Sequence, residues 1–216
     1  MLGRREGRSR KGTGFFITIE GVEGAGKSTL AELVAEHLRS EGADVVVTAE
    51  PGGDPVAERI RKLVLDSADS ISDRAELLLF EAARAQHVDR VILPALERGA
   101  VVICDRFADS SLAYQGYARG IDLETVKMLN DCAARGLRPD LTILLDLPVE
   151  SGLDRTSGMD RLSSEGIAFH NAVREGYLAL SRAEPGRFVI IDAGKPIDEV
   201  LCVATDAIGA HHENTK

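Results

Sequence analysis

Short apolar runs alternate along the chain with longer stretches of helical periodicity. Residues 15–20, 45–48, 100–104, 141–146 and 188–192 are runs of four to six residues, almost wholly apolar, and read as strands. Between them, Leu30, Leu33, Val34 and Leu38 recur at the spacing of one helix face. Asp54-Pro55 sets a capping carboxylate before a proline at a first helical position. Asp73 with Glu76 reads as a second capped start, opening a long helix towards Arg98 that Pro94 should kink. Strands apolar on both faces and alternating with helices predict a parallel sheet covered on two sides. No repeat or linker interrupts the pattern, so the expected fold class is a single α/β domain.

The length of 216 residues suits one domain with a full core. Hydrophobic residues at 44% and charged ones at 28% exclude intrinsic disorder and collagen-like repeats. A net charge of −9 argues against a general nucleic-acid binder, yet leaves room for a locally positive pocket that takes small anions. No apolar run approaches the ~18 residues of a membrane helix. The cysteines at 104, 132 and 202 are odd in number, widely spaced and without a C-x-x-C, which fits buried thiols in a reducing, cytoplasmic setting. Residues 1–14 hold Arg4, Arg5, Arg8, Arg10 and Lys11 with no apolar core. They read as a mobile basic tail rather than a signal peptide or a nucleic-acid arm. Residues 210–216 read as a C-terminal tail whose His211-His212 pair is too isolated for a metal site. The domain is expected over 15–209.

The sharpest chemical signal is Gly21-Val22-Glu23-Gly24-Ala25-Gly26-Lys27-Ser28, followed by Thr29. It matches G-x-x-x-x-G-K-[ST] and lies between a predicted strand and a predicted amphipathic helix. Glycines at these places let backbone N–H groups turn around phosphate oxygens, and the helix N-terminus adds positive potential. Lys27 can then reach the β and γ phosphates, and the Ser28 hydroxyl can ligate Mg²⁺. The segment predicts nucleoside triphosphate binding. The chain lacks the N-K-x-D of a regulatory GTPase and is too short for a motor ATPase. A small kinase with its own acceptor site remains.

Four further segments bear on the acceptor: Thr48-Ala49-Glu50-Pro51-Gly52-Gly53; Phe80 through His87; Asp105-Arg106-Phe107 with Ser110-Ser111-Leu112-Ala113-Tyr114-Gln115-Gly116; and Asp160-Arg161-Leu162 ahead of a helix bearing Phe169, Val173, Arg174 and Tyr177. Phe80 and Arg84 are four apart and share a helix face, an aromatic plate beside a donor fork; a core phenylalanine with a solvated arginine is the alternative. Asp105 and Arg106 end a predicted strand, where open α/β sheets place ligands; a structural ion pair between them is the alternative.

In order and spacing, the five segments together resemble bacterial thymidylate kinases, from about residue 15 to 208. The resemblance implies a three-layer P-loop NTPase fold of about five parallel strands, with helices on both faces and a short lid near 154–163. It implies transfer of the γ-phosphate of ATP to dTMP, with Mg²⁺, by a homodimer to which the Leu77–Phe80 face contributes. Phe80 and Arg84 would hold the thymine, and Arg106 the acceptor phosphate. Asp105 would join Ser28 in placing Mg²⁺. Glu23 would lie near the 3′-hydroxyl and Ser111 near the base, and Tyr114 would crowd the ribose 2′ position. Glu50 and Gln115 complete the expected substrate site. No arginine lies inside the Glu23-Gly24-Ala25 stretch, so Arg155 and Arg161, flanking the lid, are the expected cover for the phosphates.

Two departures stand out. Where the family reads T-R-E-P-G-G-T, this chain has Ala49 and Asp54, a cation lost and an anion gained near the acceptor. Loss of one charge-assisted bond of roughly 1.5–3 kcal/mol would weaken acceptor binding about ten- to a hundredfold, unless Arg59 or another arginine compensates. The lid is also short and poor in arginine, with Ser163 in place of a common glutamate. The competing readings are a kinase for another nucleoside monophosphate, a nucleotide-binding regulator that transfers nothing, and a nucleic-acid-dependent ATPase.

Overall fold

The computed structural model describes residues 14–66, 70–155 and 161–213. The expected mobile tail therefore lies, but for Gly14, outside the described residues, as do the lid residues 156–160. Five parallel strands form one sheet: β1 (Phe15–Gly21), β2 (Val45–Ala49), β3 (Val101–Asp105), β4 (Leu141–Asp146) and β5 (Phe188–Asp192), in the spatial order β2-β3-β1-β4-β5. All five predicted strands are present within a residue at either end. β1 lies at the centre, with Ile19 in register with Asp105 of β3 and with Ile143 of β4. The carboxyl ends of β1, β2 and β3 consequently open at one edge, beside the place where the order switches from β3 to β4 around β1.

The helices are α1 (Lys27–Ser40), α2 (Pro55–Leu65), α3 (Asp73–His87), α4 (Leu93–Glu97), α5 (Ala108–Ser111), α6 (Leu123–Ala133), α7 (Val149–Arg155), α8 (Ile167–Ala183) and α9 (Ile197–Glu213). Strand alternation divides the core. Phe15, Ile17 and Ile19 pack in a large cluster with Leu30 and Val34 of α1, whereas Phe16, Val102 and Cys104 join Val88, Ile92 and Leu96 in a second one. The three-layer expectation holds.

The long helix predicted from Asp73 is continuous to Glu97, but not uniformly α. Residues 88–92 form a π turn in which the Leu93 amide donates to the Val88 carbonyl, just ahead of Pro94. A wider turn there accommodates the missing proline N–H and the ring's demand for space. A second π turn, Leu112–Ala118, continues α5. Asp54 does cap α2, accepting from the Val56 amide at 2.8 Å with Pro55 at the first helical position. The second expected cap is different: Ser72 is the N-cap of α3 and makes no side-chain bond, while Glu76 is fully buried. The last helix runs past residue 209 to Glu213, and the His212 ring meets Phe15 edge-on at 5.4 Å. Of the three free cysteines, only Cys104 is buried; Cys132 and Cys202 are exposed, against the expectation for all three. Among the described residues no helix is long and apolar enough to cross a membrane.

Candidate active site

β1 leaves the sheet at Gly21 and the chain re-enters helix at Lys27. In between, Gly24 and Gly26 take φ of 69° and 90°, the left-handed region that favours glycine. Gly24 has a second reason: a Cβ there would collide with the backbone carbonyl of Gly152 in α7. Val22 and Ala25 are buried and offer the loop only their backbone. Lys27 bends back so that Nζ donates to the Val22 carbonyl at 2.8 Å. Burial, and then the nearby Arg106 charge, push its ammonium down to about 8. A bound polyphosphate supplies opposite charge and raises it again. Nucleotide binding should therefore take up a proton above pH 8, where the free lysine is mostly neutral, and almost none at pH 6, where it is already charged. Titration calorimetry in buffers of different ionisation enthalpy measures this directly; equal proton uptake at both pH values would refute it.

A cleft of about 790 Å³ opens over this loop at the strand ends. Every predicted site residue lines it except Gly21, Val22, Ala25 and Arg161. Ser28 donates to Oδ2 of Asp105, and Oδ1 of Asp105 is buried without a hydrogen-bond partner. An orphaned carboxylate oxygen beside a hydroxyl, at the mouth of a phosphate cradle, has the donor chemistry that suits a hydrated Mg²⁺.

Arg106 follows β3 with φ of 70°, an unusual backbone state for a residue with a Cβ. That turn sends its guanidinium back over β1. Nη1 donates to the Gly21 carbonyl at 3.1 Å and to the Tyr177 hydroxyl at 3.4 Å, and Nη2 to Glu23 Oε1. The Tyr114 ring lies under the guanidinium at 5.1 Å, and its hydroxyl donates to the same Glu23 oxygen at 2.9 Å. Burial alone would raise the Glu23 carboxyl; Arg106, Lys27 and the Tyr114 bond outweigh it and hold it at about 2.

The far wall is built on α3. Phe80 is half-buried, whereas Arg84 is only 2% exposed. Arg84 Nε donates to Glu50 at 2.8 Å; Nη1 faces Glu81 (2.7 Å), Ser111 (3.0 Å) and Asn130 (2.5 Å); Nη2 donates to the Phe107 carbonyl at 3.0 Å. Of its five N–H groups, one on Nη2 is left for a ligand. Burial opposes the charge, but Glu50 and Glu81 overcome it and raise the Arg84 pKa. The solvated-arginine alternative is thereby excluded. Glu50 also meets His87 Nδ1 at 3.0 Å, and Thr48 meets His87 Nε2 at 2.6 Å. Gln115 donates to buried Glu76 at 2.8 Å.

The two expected lid arginines separate. Arg155 is exposed at the end of α7, lines the cleft and donates to the Ala193 carbonyl at 3.2 Å. Arg161 instead donates to the Val64 carbonyl at 2.8 Å and to Glu76 at 2.5 Å, outside the cleft lining. A buried carboxylate is a stronger attractor than open solvent. The two departures also sort themselves. Ala49 lines the cleft, so the cation is absent there. Asp54 does not: it is spent on the α2 cap and on Gln86 at 3.1 Å, so no anion is added to the cleft. Arg61, anchored to the Pro51 carbonyl at 2.8 Å, lines the cleft where Arg59 does not. Sequence reasoning also passed over Glu20, a charge in an apolar strand, and Tyr177, which it placed on a helix without a role.

The chain matches the family model described as thymidylate kinase over residues 19–202. It is 51% identical over 207 residues to the thymidylate kinase of Desulfovibrio desulfuricans, covering 91% of this chain and 95% of that one. It is 53% identical over 192 residues to the thymidylate kinase of Pseudomonas fluorescens Pf-5, covering 87% and 91%. The crystal structure of thymidylate kinase from Ehrlichia chaffeensis superposes with a TM-score of 0.71 at 36% identity, covering 82% of this chain and 92% of that one.

Proposed function

The chain belongs to the thymidylate kinase family and phosphorylates dTMP with ATP, and from that premise we propose how its own residues do so. The observation that carries the reading is the junction of two subsites: Lys27 of the phosphate cradle and Arg106 at the acceptor end share one carboxylate, Glu23, in a single cleft. ATP occupies the loop of residues 21–29. The thymine lies on Phe80, with the remaining Nη2 proton of Arg84 and the Ser111–Gln115 wall at its edge. Glu23 and Tyr114 bound the deoxyribose. Arg106 has more N–H groups than its three bonds use, and turns the rest to the acceptor phosphate. Arg61 supplies cleft charge on the side where Ala49 gives none, and Glu50 acts through Arg84 rather than on substrate.

Ser28 and Asp105 are the residues that would hold Mg²⁺, which bound there with the donor phosphates would offset their charge. The acceptor oxygen attacks in line while Lys27 draws charge from the leaving ADP and Arg106 keeps the two phosphates aligned. No covalent intermediate on the protein is needed.

Arg155 is our remaining cation for the transferred group. Arg155→Ala should lower kcat about ten- to a hundredfold with little change in the dTMP KM, as expected for a charge met in the transition state. Arg161→Ala should instead lower the thermal midpoint and leave kcat near normal, because it strips a partner from Glu76. Steady-state kinetics and a melting curve on both variants separate these roles, and a reversed pattern would return the phosphates to Arg161.

A homodimer is placed on α2 and α3, where Val56, Leu63 and Leu78 are exposed at 45%, 51% and 54%. Leu77, expected at that contact, is buried in this chain's own core. Leu78→Asp should shift the sedimentation profile towards monomer; an unchanged profile would move the contact elsewhere. The three free thiols support a cytoplasmic setting.

The test of the function is ADP release with Mg-ATP against dTMP, dUMP, UMP, dCMP and dGMP. A strong preference for dTMP is expected. Preference for another acceptor would change the substrate, and no turnover despite ATP binding would leave the nucleotide-binding regulator.

A further inference from the structure

Glu20 is the one charged residue in the apolar β1 strand, and it is fully buried. It points to the face opposite the Ile17 and Ile19 side chains. Its carboxylate gathers three donors that lie far along the chain. The Phe107 amide donates to Oε1 at 2.8 Å; the hydroxyls of Ser110 and Tyr177 donate to Oε2 at 2.7 and 2.9 Å. Those two hydroxyls are themselves 2.7 Å apart.

All three donors border Arg106. Its left-handed backbone is unfavourable for a residue with a Cβ and persists only where neighbouring bonds over-determine it. The Arg106 amide is fixed by the Ile19 carbonyl at 3.0 Å, and the next amide, Phe107, by Glu20. The guanidinium is steadied by the Tyr177 hydroxyl, which Glu20 in turn holds. One carboxylate thus governs both the peptide that turns Arg106 into the cleft and the hydroxyl against which its side chain rests. A carboxylate is a costly choice for a strand interior, and Asp109 close by makes it costlier. An apolar residue would serve the core better.

We propose that Glu20 is a positioning residue that sets the pose of Arg106 for the acceptor phosphate. The inference rests on Arg106 gripping that phosphate. It predicts an effect on one substrate only, since Glu20 makes no hydrogen bond to the residues of the loop at 21–29.

In the full chain, Glu20→Leu should raise the dTMP KM about tenfold or more, the consequence of a misplaced charge-assisted bond. The ATP KM should stay within about twofold. Glu20→Gln keeps an oxygen for the Phe107 amide and lets the two hydroxyls turn to accept, so most of the dTMP affinity should return. Tyr177→Phe should show a smaller rise with the same selectivity. Both KM values rising together, or a flat dTMP KM in all three variants, would overturn the proposal. Where Glu20→Leu does not fold, Glu20→Gln and Tyr177→Phe decide by the same criterion. Arg106→Ala serves as the reference: if it leaves the dTMP KM unchanged, the reading of Arg106 falls and this inference with it. A large effect there beside flat Glu20 and Tyr177 variants defeats the inference alone.

Discussion

Replacing Arg106 with alanine should lower kcat/KM for dTMP about a thousandfold while ATP still binds with near-normal affinity. A preorganised cation aimed at transferring phosphates is worth two to three decades in rate, of the order of 10²–10³ for one donor. Here the loss is compounded, because Glu23 keeps its buried carboxyl and loses the largest of the attractions that hold it at about 2. An unpaired anion then faces an incoming dianion in a cleft with little water. Lysine in its place should recover only part of the loss, since a point charge cannot reproduce a planar fork. Steady-state kinetics paired with ATP titration calorimetry make the check. A dTMP kcat/KM within threefold of the parent would sink the assignment.

The second large effect is on stability. Arg84→Met should destabilise the fold by about 3–5 kcal/mol, because Glu50 and Glu81 stay buried at the site of a vanished cation. For a domain of this size the thermal midpoint should fall by roughly 10 °C. Burial already raises the Glu81 carboxyl, with one oxygen lacking a partner, so that group in particular should protonate in the variant. The folded-state carboxyl pKa then lies above its unfolded value, and stability is retained at low pH and lost as pH rises through it. Melting curves from pH 5 to 8 should therefore show the variant closest to the parent at the acid end. A variant as stable as the parent at pH 8 would mean that Arg84 is held for substrate alone. Double replacement with Glu50→Gln should restore part of the loss.

The strands and the phosphate loop were legible because local chemistry decides them. A strand buried on both faces is written as an apolar run, and only glycine suits φ values such as those of Gly24 and Gly26. What resisted was set by partners distant in sequence. Glu76 stands in the first turn of α3 and reads as a cap, but Gln115, Arg119 and Arg161, 39, 43 and 85 residues away, draw it inward. The same attraction takes Arg161 from the lid. The π turn at 88–92 leaves no break in hydrophobic periodicity, since one extra residue in a turn only rotates the face. Arg61 rather than Arg59 reaches the cleft, a choice made by how α2 rolls against α3 and not by either residue's neighbours. The acceptor site was thus readable in its membership and unreadable in its wiring.

The glycine pair at 24 and 152 has a consequence for how the site keeps its alignment. The cradle for the donor and the helix ending at Arg155 touch backbone to backbone, with no side chain between them whose rotamers could give. Their spacing is therefore set by van der Waals radii, a dimension that neither temperature nor a change elsewhere in the core readily alters. The segment beyond Arg155 can vary in length and composition without retuning the distance from that arginine to the phosphates. A short lid, poor in arginine, is in this respect an affordable variation: the reference edge from which Arg155 reaches inward belongs to the rigid loop.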